Sequence, residues 1–200
     1  MKRRALLSLA LATAAAGAAR AQVPPSPGEV AAYQGLHAAA QRGDVAAIAR
    51  LLKSGAAIEA TDGAGRTPLH VATFARQREA VRALLQAGAN HAALEHGRYD
   101  AVTIAAVADD EDTLRLLLAG GASAKLVTSR YDGTALIAAA HLGHEGVVRQ
   151  LIAAGAPLDH VNNLHWTAAI ESVVLGDGGP RHQATLQALI DAGANLQLTD

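Results

Sequence analysis

Thr67-Pro68-Leu69-His70-Val71-Ala72 decides how this chain folds. Thr67 carries a side-chain oxygen suited to accept from the free backbone N–H groups of a helix start. Pro68 suits the first helical position, where its fixed φ helps and its missing N–H costs nothing. Just before it, Thr61-Asp62-Gly63-Ala64-Gly65-Arg66 is polar and Gly-containing and reads as a turn. Downstream, Val81-Arg82-Ala83-Leu84-Leu85 reads as a second helical stretch. It is followed by Gly88, where a helix C-terminus needs a residue tolerant of positive φ. One unit is therefore a turn, a short inner helix and a short outer helix.

The unit recurs. Leu51-Leu52, Leu84-Leu85, Leu117-Leu118, Leu151-Ile152 and Leu189-Ile190 are each followed at a fixed offset by a Gly-Ala step, beginning at Gly55, Gly88, Gly121, Gly155 and Gly193. The glycine spacings are 33, 33, 34 and 38, a period that signals a stack of supersecondary modules. The composition agrees: half the residues are hydrophobic but only 2% are aromatic, so the apolar content is mostly Ala, Leu, Val and Ile. Small side chains of this kind suit closely packed helices. The absence of cysteine excludes disulfides, thiolate metal sites and Cys nucleophiles.

On these residues the chain resembles the ankyrin-repeat family, whose signature is a 33-residue period with T-P-L-H-x-A. Residues 67–72 match it in full. Leu36-His37-Ala38-Ala39, Asp100 to Ala106, Thr134 to Ala140 and Thr167 to Ile170 are progressively altered versions. The resemblance implies an all-α solenoid of about five helix pairs joined by β-turn or hairpin loops, with units near 33–66, 67–99, 100–133, 134–166 and 167–200. It also implies that His37 and His70 bond neighbouring turns. The inter-helix glycine is kept at Gly43 and Gly143 but replaced by Arg76 and Asp109, so those two loops are expected to be less regular. The fourth turn is one residue longer, near Val127 to Asp132. About five extra residues around Gly176 to His182 are expected to form an exposed loop in the fifth unit.

The N-terminus reads as an export leader. Lys2, Arg3 and Arg4 form a positive n-region, Leu6 to Ala16 an uncharged apolar stretch, and Ala19-Arg20-Ala21 a cleavage site. The apolar stretch is too short for a membrane-spanning helix. Residues 1–21 are thus expected to be removed after Ala21, leaving the chain periplasmic or secreted. Arg3-Arg4 leave the general secretory and twin-arginine routes both open. Residues 22–32 read as a Pro-rich linker, because Val-Pro-Pro-Ser-Pro-Gly cannot enter a helix as a block. Removal of the leader takes away four basic residues and no acid, so 13 basic face 18 acidic residues, a net charge of −5. An acidic chain without a basic stripe is a poor partner for nucleic acid.

Little in the sequence suggests catalysis. G-x-S-x-G, a phosphate-binding glycine loop, H-E-x-x-H and the EF-hand pattern are all missing. The acidic run Asp109-Asp110-Glu111-Asp112 lies at a helix N-terminus, where acids favour the dipole. No cofactor or metal ligand set is assigned. The chain is expected to act as a monomeric, non-catalytic protein-interaction scaffold of the bacterial envelope. A host-directed secreted effector, or a metal-dependent activity through the nine histidines, stays open as an alternative.

In the architecture that the resemblance implies, turn tips and the outward side of the inner helices line a concave face. Register places Val71, Phe74, Ala75, Ile104, Val107, Ala108, Ala138, His141, Leu142, Glu171, Val174 and Leu175 on those helices. At the tips it places Arg66, Arg98, Tyr99, Arg130, Tyr131, His165 and Trp166. A contiguous apolar stripe bordered by aromatic and arginine side chains is the composition of an interaction surface. The expected partner is another protein, bound by a monomer.

Overall fold

In the computed structural model, residues 22–198 are described. The expected export leader on residues 1–21 lies outside them. The chain forms five helix pairs: α2 (Gly35–Arg42) with α3 (Val45–Lys53), α4 (Pro68–Phe74) with α5 (Arg78–Gln86), and α6 (Ala101–Val107) with α7 (Glu111–Ala119). Then come α8 (Ala135–His141) with α9 (Glu145–Ala153), and α10 (Ala168–Val174) with α11 (Pro180–Asp191). A further helix, α1 (Pro27–Ala32), precedes them.

Residues 22–32 are therefore not all linker. Ser26 accepts from the Glu29 N–H while Glu29 reaches back to the Ser26 N–H, closing a capping box. Pro27 occupies the first helical turn, where proline is tolerated, so the third proline starts a helix that the first two could not join.

The inner helices begin where the sequence places their caps. Side chains of Thr67, Asp100, Thr134 and Thr167 each accept from the backbone N–H three residues on. Helices of seven residues are not stable alone, so packing holds them. Inner helices stack on inner helices and outer on outer, each pair touching its neighbours. Leu84, Leu117, Leu151 and Leu189 occupy the equivalent place on successive outer helices and are fully buried. Each contributes on the order of 2 kcal/mol by leaving water. The flanking Leu52, Leu85, Leu118 and Ile152 are half-buried against the same core.

The turns add a ladder of their own. The N–H groups of His96, Ser129 and Asn163 donate to the carbonyls of Ala64, Arg98 and Tyr131 in the preceding turn, at 2.8–2.9 Å. The longer fourth turn closes as a two-residue antiparallel pair, β1 (Val127–Thr128) with β2 (Gly133–Thr134). His37 and His70 bond the Arg66 and Ala93 carbonyls at 2.8 and 3.0 Å, joining one unit to the next turn.

Two loop expectations need correction. Arg76 and Asp109 do not loosen their loops: both take φ 53°, the left-handed conformation that Gly43 and Gly143 take at 70° and 67°. The backbone keeps its course and the side chain bears the strain. The fifth-unit insertion does not protrude as one loop. Pro180, Arg181 and His182 extend α11 at its start. His182 then bonds Asp177 Oδ1 at 2.8 Å and the His141 carbonyl at 3.0 Å, and Arg181 reaches Asp109 at 3.0 Å. No helix among the described residues is long and apolar enough to cross a membrane.

Candidate concave binding face

The inner helices and turn tips make up the side expected to be concave, and Val71, Ile104 and Arg66, all expected to be open there, are inside the protein. Val71 and Ile104 are both 0% exposed. They sit four residues after their caps, and a seven-residue inner helix has a stacked neighbour on each flank, so only a narrow stripe is left outward. Arg66 is 2% exposed. Its Nε donates to Asp62 Oδ2 at 2.7 Å and its Nη2 pairs with Glu29. It ties α1 to the first turn and is not a groove arginine.

The other positions, Glu171 excepted, are at least partly open. Phe74, Val107, Tyr99, Tyr131, His141 and Trp166 are half-buried, while Leu142, Arg98, Arg130 and His165 are exposed. Arg98 and His165 sit at turn tips with φ 66° and 65°, in the left-handed conformation. Arg98 is also engaged, donating to Asp132 Oδ1 at 3.0 Å.

Tyr99, Val107, Tyr131, His141 and Leu142 come together around a cavity of about 180 Å³ spanning the third to fifth repeats. Thr103, Ile137 and Ala138 complete its apolar floor, and Asn162 and Glu171 its polar end. Burial pushes the Tyr99 phenol up, so it stays protonated as a donor. Phe74, Arg98, Arg130, His165 and Trp166 are not among the residues lining this cavity.

Glu171 is nearly enclosed, yet both its oxygens are satisfied. Oε1 accepts from Asn162 Nδ2 at 2.8 Å and Oε2 accepts from His141 Nδ1 at 2.9 Å. Asn162 is held in turn, because its Oδ1 accepts from the N–H groups of Leu164 and Trp166 at 2.9 and 3.0 Å. Register places Glu171 on this side of α10, whereas Asn162 was not in the expected set. The signal for Asn162 was its turn position, which matches Asp62, whose Oδ1 likewise accepts from Ala64 and Arg66 N–H at 2.8 and 2.9 Å. Glu171 stands in an otherwise apolar inner helix, where a carboxylate needs partners.

The acidic run is absorbed by structure. Asp110 caps α7, and although burial pushes it up, bonds from Thr113 and Arg78 hold it below the usual carboxylate range. Among the described residues no three His, Asp or Glu side chains converge as a metal site.

Comparison with known proteins agrees with this architecture. A family model for ankyrin repeats (three copies) matches residues 23–95 and 102–200. The chain is 34% identical over 163 residues to the ankyrin repeat protein YahD of Escherichia coli (strain K12), covering 81% of each chain. An ankyrin repeat domain from Acinetobacter baumannii AYE, known from its crystal structure, superposes with a TM-score of 0.77 at 42% identity, over 82% of this chain and 84% of that one. Period, caps, stacked helix pairs and these likenesses together place the chain in the ankyrin-repeat family.

Proposed function

We propose that the chain is a non-catalytic scaffold, exported to the bacterial envelope, that binds a partner protein through its concave face and turn tips. Ankyrin repeats generally mediate protein–protein interaction. The observation that carries the reading is the gathering of Val107, Leu142, Tyr99 and Tyr131 around one cavity, with Phe74 and Trp166 also partly open. Aromatic side chains that are partly open on a rigid scaffold supply large contact area at small entropic cost. Export is supported by the basic, apolar and small-residue order of residues 2–21.

Affinity capture from envelope extracts tests the binding role. Phe74→Ala and Trp166→Ala are expected to lose the captured partner while helical circular dichroism stays unchanged. Full capture by both variants, or loss of the helical signal in both, would overturn the groove. Cell fractionation that leaves the intact chain, leader included, in the cytoplasm would overturn export.

A further inference from the structure

The cavity between the third, fourth and fifth repeats is bordered by a side chain from the far N-terminal side of the described chain. Gln22 lines it beside Tyr99, Tyr131, His141 and Glu171, and its Nε2 is buried with no hydrogen-bond partner among the described residues. The backbone that delivers it runs back from α1 past the turn tips. Arg66 Nη1 donates to the Val23 carbonyl at 3.5 Å, while the same guanidinium holds Glu29 on α1. Pro24 and Pro25 fix φ in the segment, and Ser26 at φ −67°, ψ 158° lies in the polyproline II region. A segment stiffened in this way has little conformational freedom left to lose on docking.

The walls complement such a segment. Tyr99 and Tyr131 both line the cavity, and aromatic-lined grooves are the kind of surface on which extended proline-containing peptides dock. At the polar end each oxygen of Glu171 accepts a single hydrogen bond, from Asn162 or from His141, and a carboxylate oxygen has capacity for another.

We propose that this cavity recognises a hydrogen-bond-donating side chain at the head of an extended, proline-containing peptide, and that Gln22, carried by the Val23–Ser26 segment, is the internal occupant which a partner's segment displaces. This rests on the concave-face reading and adds the chemistry of the partner. The unpaired Gln22 amide makes the internal segment an imperfect fit, since a buried donor without an acceptor forfeits its bonds to water. Tethering compensates through effective concentration, so the segment holds the site in the absence of competition and yields to a better-paired one.

The chain has no cysteine, so Gln22→Cys with Ala138→Cys, both positions lining the cavity, reports seating through trapping by a short bis-maleimide. Internal crosslinking is expected at least about tenfold faster than in a Gln22→Cys, Arg149→Cys control, whose second site is exposed on α9. A synthetic peptide of residues 22–28 at roughly millimolar concentration is expected to slow trapping severalfold. The same peptide with Leu for Gln is expected to slow it less. Equal rates in the two double variants would overturn the internal seat, and trapping indifferent to the peptide would overturn the peptide site. Partner capture that depends on Phe74 alongside trapping at the control rate would sink this proposal while leaving the groove standing. Fast, peptide-sensitive trapping with capture indifferent to Phe74 and Trp166 would sink the wider groove and spare the cavity.

Discussion

Asp62 gathers four polar groups at the start of the first turn. Tyr33 donates to its Oδ2 at 2.7 Å, Arg66 Nε to the same oxygen at 2.7 Å, and the Ala64 and Arg66 N–H groups to Oδ1. Burial alone would push the carboxyl up, but these bonds outweigh it and hold it at about 2. The folded value lies below the ordinary one of about 3.9, so the stabilisation is complete above about pH 4 and is lost as pH falls towards 2. Allowing for partial screening by solvent, it amounts to roughly 1–2 kcal/mol. Urea unfolding from pH 5 to pH 2 should therefore show a steeper loss in the native chain than in Asp62→Asn, and parallel profiles would show that Asp62 carries no such linkage. His70 shows how far a single residue was legible. Its place in the T-P-L-H signature led to the expectation of a bond to a neighbouring turn. The structure adds that Nδ1 accepts from the Thr67 N–H at 3.0 Å, which leaves the proton on Nε2 for the Ala93 carbonyl. Burial pushes this imidazole down, in keeping with a neutral ring.

Among the elements, the inner helices were the most legible, because a cap with the right residue after it acts locally, whatever the neighbours do. The concave surface was the least legible. Val71 and Ile104 carry the same local signal as Val107, and only the packing of one inner helix on the next decides which of them meets solvent. The helix α1 was hidden by its prolines, and the start of α11 by the glycines before it. Both follow a rule of position, since Pro27 and Pro180 stand in a first helical turn. The loop between α8 and α9 gives this scale its test. Gly143 takes φ 67°, and a methyl group there would come within 3.1–3.2 Å of the His182 ring. Gly143→Ala should cost about 1–2 kcal/mol by chemical denaturation. An unchanged midpoint would mean that His182 is not held against this loop.

For the molecule as a whole, stability is distributed along one axis. Each pair of helices packs chiefly on the pairs next to it, with Arg181 to Asp109 a longer-range link, so the stack should behave as a row of units coupled mainly through their interfaces. Leu117 on the middle outer helix has a stacked helix on each side, and Leu117→Ala should cost about 2–5 kcal/mol and broaden the unfolding transition of the entire chain. Leu189→Ala in α11 should mainly raise hydrogen exchange in the fifth pair and leave the first four protected. Equal deprotection everywhere in the second variant would argue against nearest-neighbour coupling. The fifth pair also leaves Val173, Val174 and Leu196 at 60%, 55% and 53% exposed, an apolar surface of the type that an inner pair hides against its successor.

The course of Gln22 and Val23 over the turn tips has a practical side. A purification handle or fluorescent fusion joined immediately ahead of Gln22 would be steered onto the hollow side of the molecule, where it could obstruct a guest and counterfeit a loss of affinity. The same attachment placed after residue 198 would leave beside Val173 and Ile190, residues outside the cavity that Gln22 borders, making it the sounder choice for any immobilised binding measurement.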